Sequence, residues 1–210
     1  MQKVLVTVII PNYNNGQYIG QAIESVYQQT YQLFELIVID DGSNDNSVEV
    51  ISQLQIIYNF TFIHRENKGL CFTLNQALKI SKGYYTCLLD SDDYLLPNKL
   101  EVCVSYLENN QEIYFVYGHF ATLRIDGIIE YKPTSGPIKP DMFSTLLCYN
   151  FLSGQASLFK SSLFEKTGDF DINLRVQDYD MWLRMAYHGA KFAHINTYVS
   201  VYRVHENNFS

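Results

Sequence analysis

Asp90, Asp92 and Asp93 stand within four positions, directly after the apolar run 84–89. Carboxylates packed this closely repel one another, and each raises its neighbours' pKa. A cation among them relieves that repulsion. Hard divalent ions such as magnesium and manganese take oxygen ligands, often one or two carboxylates together with substrate phosphates. A second acidic pair, Asp40 and Asp41, follows the apolar run 34–39 in the same way. Two acidic strand ends point to one shared crevice, because open α/β sheets bind ligands at the carboxyl edges of their strands. An Asp there can accept a hydrogen bond from a ribose hydroxyl or a base N–H, while the triplet can hold a metal against a diphosphate. Taken alone, the triplet also reads as an exposed acidic turn capping a helix after Pro97.

Neither G-x-G-x-x-G nor G-x-x-x-x-G-K-[ST] occurs in the chain. Phosphate binding without such a backbone cradle needs a metal or cations, which fits the acidic triplet. The absence of a Gly-rich N-terminal loop also argues against a nucleotidyltransferase. Asp178 is a separate carboxylate that could take a proton. By position alone, Asp178 and Asp180 equally suit the first turn of a helix, where acidic residues meet the macrodipole favourably.

The elements that must position these residues follow from periodicity. Residues 4–10 form a continuous β-branched run, as expected for a strand buried on both faces, and Pro11 ends it. Residues 12–16 read as a polar turn in which Asn15 caps the next helix. Ile19, Ala22, Ile23, Val26 and Tyr27 recur at helical spacing. Strands are expected over 34–39, 60–64 and 84–89. Helices are expected over 47–54, with Val48, Ile51 and Leu54 on one face, and along Leu70, Leu74, Ala77, Leu78 and Ile80. Gly83 is the expected stop of that last helix. Pro97 suits the first position of a helix carrying Leu100, Val104 and Leu107. This β-α-β-α-β-α-β-α alternation predicts an α/β fold with a Rossmann-like, mostly parallel sheet and right-handed crossovers.

After residue 112 the pattern changes. Strands over 113–123 and 128–131 flank an Asp126-Gly127 turn, and a Pro/Gly/Ser loop covers 134–140. Short helices over 142–147 and 162–166, a strand over 156–160 and late strands over 191–195 and 198–204 complete a smaller antiparallel portion. A helix over 177–188, with Tyr179, Trp182, Leu183 and Ala186 on one face, ends at Gly189. The chain therefore reads as one domain, 1–210, with a nucleotide half (1–112) and an acceptor half (113–210).

Composition narrows the classes. With 47% apolar and 18% charged residues in 210, the chain is globular and large enough for a sizeable core. A net charge of −7 excludes non-specific nucleic-acid binding, which needs a basic face. Most of the 17 Tyr are expected in packing roles. Cys71, Cys87, Cys103 and Cys148 show no CxxC spacing, so a reduced, cytoplasmic compartment is expected. No apolar run reaches the roughly 18–20 residues that span a bilayer, and the start of the chain reads as a first strand and not as a signal peptide.

The segments VTVIIPNYNNGQYIGQAIESVYQQTYQLFELIVIDDGSNDNS, ENKGL, LNQAL and SKGYYTCLLDSDDYLLP, followed by GQASLFK, RVQDYDMWLRMAYHG and YRVHENN, carry a resemblance over nearly the whole chain. In order and spacing they resemble a family 2 glycosyltransferase of the GT-A fold. The resemblance implies inverting transfer of a sugar from a nucleoside diphosphate donor to a hydroxyl of a glycan or lipid-linked acceptor. The acidic base-binding pattern favours a UDP-sugar, with GDP and dTDP open. It further implies Pro11, Tyr13, Asp41 and Asp90 around the nucleotide, with Asp41 on the base. The Mn2+ or Mg2+ ligands would be Asp92, or Asp93 through a one-residue shift, together with His205. Asp178 would be the general base, preceded by Gln177 where the family usually has Glu. Peripheral contact with the inner membrane face also fits. The alternative is a nucleotide-sugar or polysaccharide-binding module with a degraded site, supported by Gln177. His64, His119, His188 and His194 are expected to be structural or on the surface, Arg65 and Lys68 solvated, and Trp182 core.

Overall fold

Val6–Asn12 (β1) is buried at every position, as its unbroken apolar sequence requires of a strand covered on both faces. The computed structural model describes residues 4–134, 136, 141–174, 176–206 and 208. In it β1 pairs in parallel with β2 (Phe34–Asp40), from Val6↔Phe34 to Asn12↔Asp40. Beyond β2 lies β3 (Thr61–His64), also parallel. On its other side β1 pairs in parallel with β4 (Tyr85–Leu88). Helices α1 (Gly16–Tyr27), α2 (Ser47–Ile57) and α3 (Leu70–Ile80) make the connections. Because the four strands run one way, Asn12, Asp40, His64 and the residues after Leu88 emerge at a single edge.

The rest of the chain extends the same sheet. β5 (Tyr94–Leu95), α4 (Lys99–Asn109), β6 (Phe115–Leu123), β7 (Ile129–Glu130), α5 (Met142–Cys148), β8 (Ser157–Lys160), α6 (Leu163–Thr167), α7 (Gln177–Tyr187) and β9 (Phe192–Arg203) follow in order. The strand order is β3-β2-β1-β4-β8-β6-β9-β5, with β7 on β6. β8 runs antiparallel to both β4 and β6, and β5 antiparallel to β9, whereas β6 and β9 pair in parallel. The expected loop over 134–140 lies, apart from Thr134 and Gly136, outside the described residues. No helix among the described residues is long and apolar enough to cross a membrane.

Side-chain alternation along β1 divides the core. Val6, Val8 and Ile10 pack with Ile19, Ile23 and Val26 of α1 and with Leu100 and Val104 of α4. Ile9 belongs to the opposite face, with Leu74 of α3 and Met181, Trp182 and Met185 of α7. The buried positions of α7 thus run along Met181, Trp182 and Met185, rotated from the face expected on Tyr179, Trp182, Leu183 and Ala186. Trp182 is fully buried against Phe115 and Phe159, a core residue as expected.

Four local expectations change. The two late strands are one, β9, and the irregularity falls instead in its pairing with β6 around His119. Gly118 permits this: a Cβ there would lie 2.8 Å from the Thr197 carbonyl oxygen. Gly83 does not cap α3, whose C-cap is Ser81. It lies against β1, where a Cβ would approach the Thr7 nitrogen to 2.3 Å, and its N–H donates to Thr7 Oγ1 at 2.8 Å. Asn15 precedes α1 but makes no side-chain cap; Asp45 accepts from Gly16 N at 2.8 Å instead. Pro97 lies outside α4, which starts at Lys99 after Asn98.

The Gly83 contact is with backbone, which cannot swing aside. Gly83→Ala is therefore expected to destabilise the protein by about 2–3 kcal/mol, read as a lower urea midpoint at unchanged m-value. An unchanged midpoint would show that β1 and the α3–β4 link can separate without loss.

Candidate active site

Asp40 ends β2 with no solvent exposure. Its Oδ2 accepts from Asn12 Nδ2 at 2.7 Å and Ser43 Oγ at 2.6 Å, and its Oδ1 from Ser43 N at 3.0 Å, with His64 Nδ1 at 2.9 Å. Burial pushes this carboxyl up, but the bonds from Ser43, Asn12 and His64 together outweigh it and hold the pKa below the ordinary range. His64 thus has the structural role expected of it. Asp41 is 4% exposed. Its Oδ1 accepts from Lys68 N at 2.8 Å and from Arg65, and its Oδ2 from Gly69 N at 2.8 Å. Asp41 therefore organises the loop leading into α3. Arg65, expected as a solvated charge, is instead fixed by Asp41, by Gln76 and Thr73, and over the Phe72 ring at 4.8 Å. Tyr13 is half exposed at the end of β1, and Pro11 is buried.

Asp90, Asp92 and Asp93 form a turn closed by Asp93 N–H donating to the Asp90 carbonyl at 3.1 Å. Ser91 ties the turn to α1 through Asn15 Nδ2 at 2.9 Å. Asp93 is 1% exposed and points into the protein, where its Oδ1 accepts from Arg203 N at 2.8 Å. Its Oδ2 is buried with no hydrogen-bond partner among the described residues. Burial, then the charges of Asp90 and Asp92, push its pKa well above the ordinary range. Asp92 is half-buried, between the exposed Asp90 and the buried Asp93. Its Oδ2 lies 3.0 Å from His205 Nε2, and its carbonyl accepts from Arg203 Nε at 2.8 Å. The Arg203 guanidinium covers the Tyr18 ring at 4.7 Å, and the same ring lies 4.9 Å from the imidazole of His205.

β9 thus delivers two residues to the acidic turn. His205 is a candidate from sequence. Arg203 is not, although its signal is present: it stands two positions before His205 near the end of a strand, where residues two apart share a side. The two-residue β5 pins the turn to β9 from the other direction, through Tyr94↔Val201 and Leu95↔Ser200. Two residues carry no readable periodicity, so β5 has no sequence signature.

Asp178 is the second residue of α7, and its Oδ1 accepts from Tyr179 N at 2.7 Å. Burial raises its pKa, only partly offset by that backbone bond. Asp178, Asp90, Pro11, Gln155, Phe170 and Gln177 line one small cavity of about 40 Å³. Asp90 is exposed where it opens on this cleft, although its carboxyl is crowded by the neighbouring protein and carboxylates. Burial, followed by the Asp92 and Asp178 charges, pushes its pKa up to about 7.

Among the described residues, no three His, Cys, Asp or Glu side chains form a complete metal site. The donor set present, Asp92 with His205, provides two ligands. That number suits a hard ion that completes its shell from phosphates and water. The crowded negative charge at Asp90, Asp92 and Asp93 favours such an ion.

The raised Asp90 pKa has a measurable sign. An ordinary Asp titrates near 3.8 and the folded Asp90 near 7, so the folded state holds the extra proton between those values. The stability of the metal-free protein therefore falls as pH rises through that window. Asp90→Asn is expected to raise Tm at pH 8 and to change it little at pH 4. An equal gain at both pH values would exclude charge as the cause.

Comparison with known proteins identifies the family and the fold. The model of Glycosyl transferase family 2 matches residues 7–168. An uncharacterized glycosyltransferase of Methanocaldococcus jannaschii is 32% identical over 213 residues, covering 97% of this chain and 72% of that protein. The chondroitin synthase of Escherichia coli is 29% identical over 196 residues, covering 91% of this chain but 28% of the synthase. An uncharacterized glycosyltransferase of Rickettsia bellii is 34% identical over 171 residues and is likewise longer, with 24% of its length matched. Among solved structures, S. aureus TarS 1-349 in complex with UDP-GlcNAc superposes with a TM-score of 0.81 at 18% identity, covering 97% of this chain and 59% of that one. The mannosyltransferase PcManGT from Pyrobaculum calidifontis, in complex with GDP-Man and Mn2+, gives 0.76 at 20% identity, covering 97% and 58%. These structures establish the GT-A type of fold expected from the sequence. With most of its length matched by the family model, the chain belongs to glycosyl transferase family 2.

Proposed function

We propose that this domain moves a sugar from a nucleoside diphosphate sugar to a hydroxyl of a glycan or lipid-linked acceptor, with inversion at the anomeric carbon. The observation that carries this reading is the meeting of Asp90, the Asp92–His205 pair and Asp178, from three separate elements, at one edge of the sheet. The complexes of TarS with UDP-GlcNAc and of PcManGT with GDP-Man support a donor of this class.

The base end of the donor lies at Asp41, with Tyr13 and Pro11 beside the nucleoside. A carboxylate offers about four acceptor positions. Three of those on Asp41 are taken by Arg65, Lys68 N and Gly69 N, which leaves one for a base. One acceptor suits the single ring N–H of uracil or thymine better than the paired donors of guanine, which favours UDP or dTDP over GDP.

At the other end Asp178 takes the proton of the acceptor hydroxyl. Its raised pKa brings it towards the operating pH, which favours proton transfer. The acceptor oxygen forms its bond to the anomeric carbon while the bond to the phosphate oxygen breaks, and that electron pair leaves with the diphosphate. Asp92 and His205 would hold Mn2+ or Mg2+, which when bound stabilises charge on the departing diphosphate. Asp93 serves this pair through Arg203 and is the less accessible of the two candidate ligands.

A thermal-shift series with UDP, GDP, dTDP and CDP, each with and without Mn2+, tests the donor site. UDP is expected to raise Tm by mass action, more so with Mn2+, and Asp92→Ala to abolish the Mn2+ increment. No shift with any nucleotide would sink the reading. Asp178→Asn is expected to keep the UDP shift and to lower transfer roughly 10²–10⁴-fold. Transfer at the wild-type rate in that variant would remove Asp178 as the base.

A further inference from the structure

Gln155 lies in the single 3-10 turn Gly154–Ala156 that leads into β8, and is 2% exposed. Its two amide atoms are treated differently. Oε1 accepts from the Ser153 hydroxyl. Nε2 carries two N–H donors, is sealed from bulk solvent, and has no partner among the described residues. Leaving a buried donor unmatched is costly. The same side chain lines the cavity that holds Asp90 and Asp178. Two carboxylates on that wall favour the N–H end of the amide over its carbonyl. The cavity is small, about 40 Å³, and opens beside both carboxylates.

We propose that Gln155 is a specificity-determining residue of the donor sugar site, and that Nε2 donates to one hydroxyl of the hexose being transferred. This rests on the nucleotide-sugar reading above. A hydroxyl is the group that fits, because it both accepts and donates. It accepts from Gln155 Nε2 and donates to the carboxylate of Asp90 across the same cavity. A methylene at that position leaves both partners unmatched. The donor class is therefore a hexose with one free hydroxyl that must enter the cavity, whatever its other substituents.

Calorimetric titration of the Mn2+-loaded protein tests this, using UDP, UDP-glucose, UDP-galactose, UDP-mannose and the four monodeoxy forms of the tightest UDP-hexose. If the thermal-shift series selects another nucleotide, its sugars replace these. One monodeoxy form is expected to bind wild type roughly tenfold more weakly than its parent, the other three within about threefold. The near-isosteric Gln155→Met is expected to keep the UDP affinity, to bind the parent several-fold to roughly tenfold more weakly, and to discriminate less against that one deoxy form, since only the bond to Asp90 remains. A purely structural role would not move that selectivity. Equal binding of all four monodeoxy forms by wild type would overturn the proposal without recourse to any variant, leaving a fixed water as the partner of Nε2. So would unchanged discrimination in Gln155→Met. Failure of wild type to bind any nucleoside diphosphate would overturn the nucleotide-sugar reading itself, a result distinct from nucleotide binding without hydroxyl selectivity.

Discussion

Repulsion among carboxylates at the edge of a parallel sheet is the constraint to which the surrounding structure answers. Asp90 and Asp178 face one cleft, Asp92 adjoins Asp90 in the same turn, and Asp93 is buried. Nothing in a parallel sheet alone holds such a turn in place. The work is done by β9, which runs beside β6, pairs with the two residues of β5, and presents Arg203 N to Asp93. Arg203 then reaches back to the Asp92 carbonyl while covering Tyr18 of α1. One backbone N–H, one guanidinium and one short strand thus fix the turn without placing a cation side chain in the cleft itself.

The two ends of the cleft follow different rules. Asp40 and three of the four acceptor positions of Asp41 are engaged by Asn12, Ser43, His64, Arg65 and backbone N–H groups, so the end assigned to the nucleoside is organised before any ligand arrives. Around Asp90 the chain keeps what folding normally removes: raised carboxyl pKa values, and polar atoms of Asp93 and Gln155 without protein partners among the described residues. Departures from local satisfaction concentrate at functional sites. They are not confined to that end, because Oδ1 of Asn12, the residue that donates to Asp40, is also buried without a partner among the described residues.

Much of this was legible in the sequence, for identifiable reasons. The β-branched run of β1 and the 3.6-residue spacing of α1 announce the parallel half, and the acids after β2 and β4 mark the working edge. What failed depends on contacts distant in sequence. Gly83 looks like a helix stop until Thr7 is seen against it. The break expected between two late strands disappears because Gly118 lets β6 absorb the irregularity in front of Thr197. Asp92 and Asp93 differ by one position, and the contact of Asp93 with Arg203 is what distinguishes them. Gln155 carries no signal at all in an isolated sequence, because its meaning lies in an absent partner.

The same long-range tie orders events in time. Arg203 reaches Asp93 across 110 positions of chain, and His205 reaches Asp92 across 113. Closing loops of that length is entropically costly and comes late in folding. A nascent chain that has emerged only as far as α4 already carries β1–β4, but its acidic turn stands undefended by β9. The docking of the last strand therefore finishes the fold and the reacting end of the cleft in one step. A partly made chain can acquire its recognition surface well before it acquires the pair assigned to the metal.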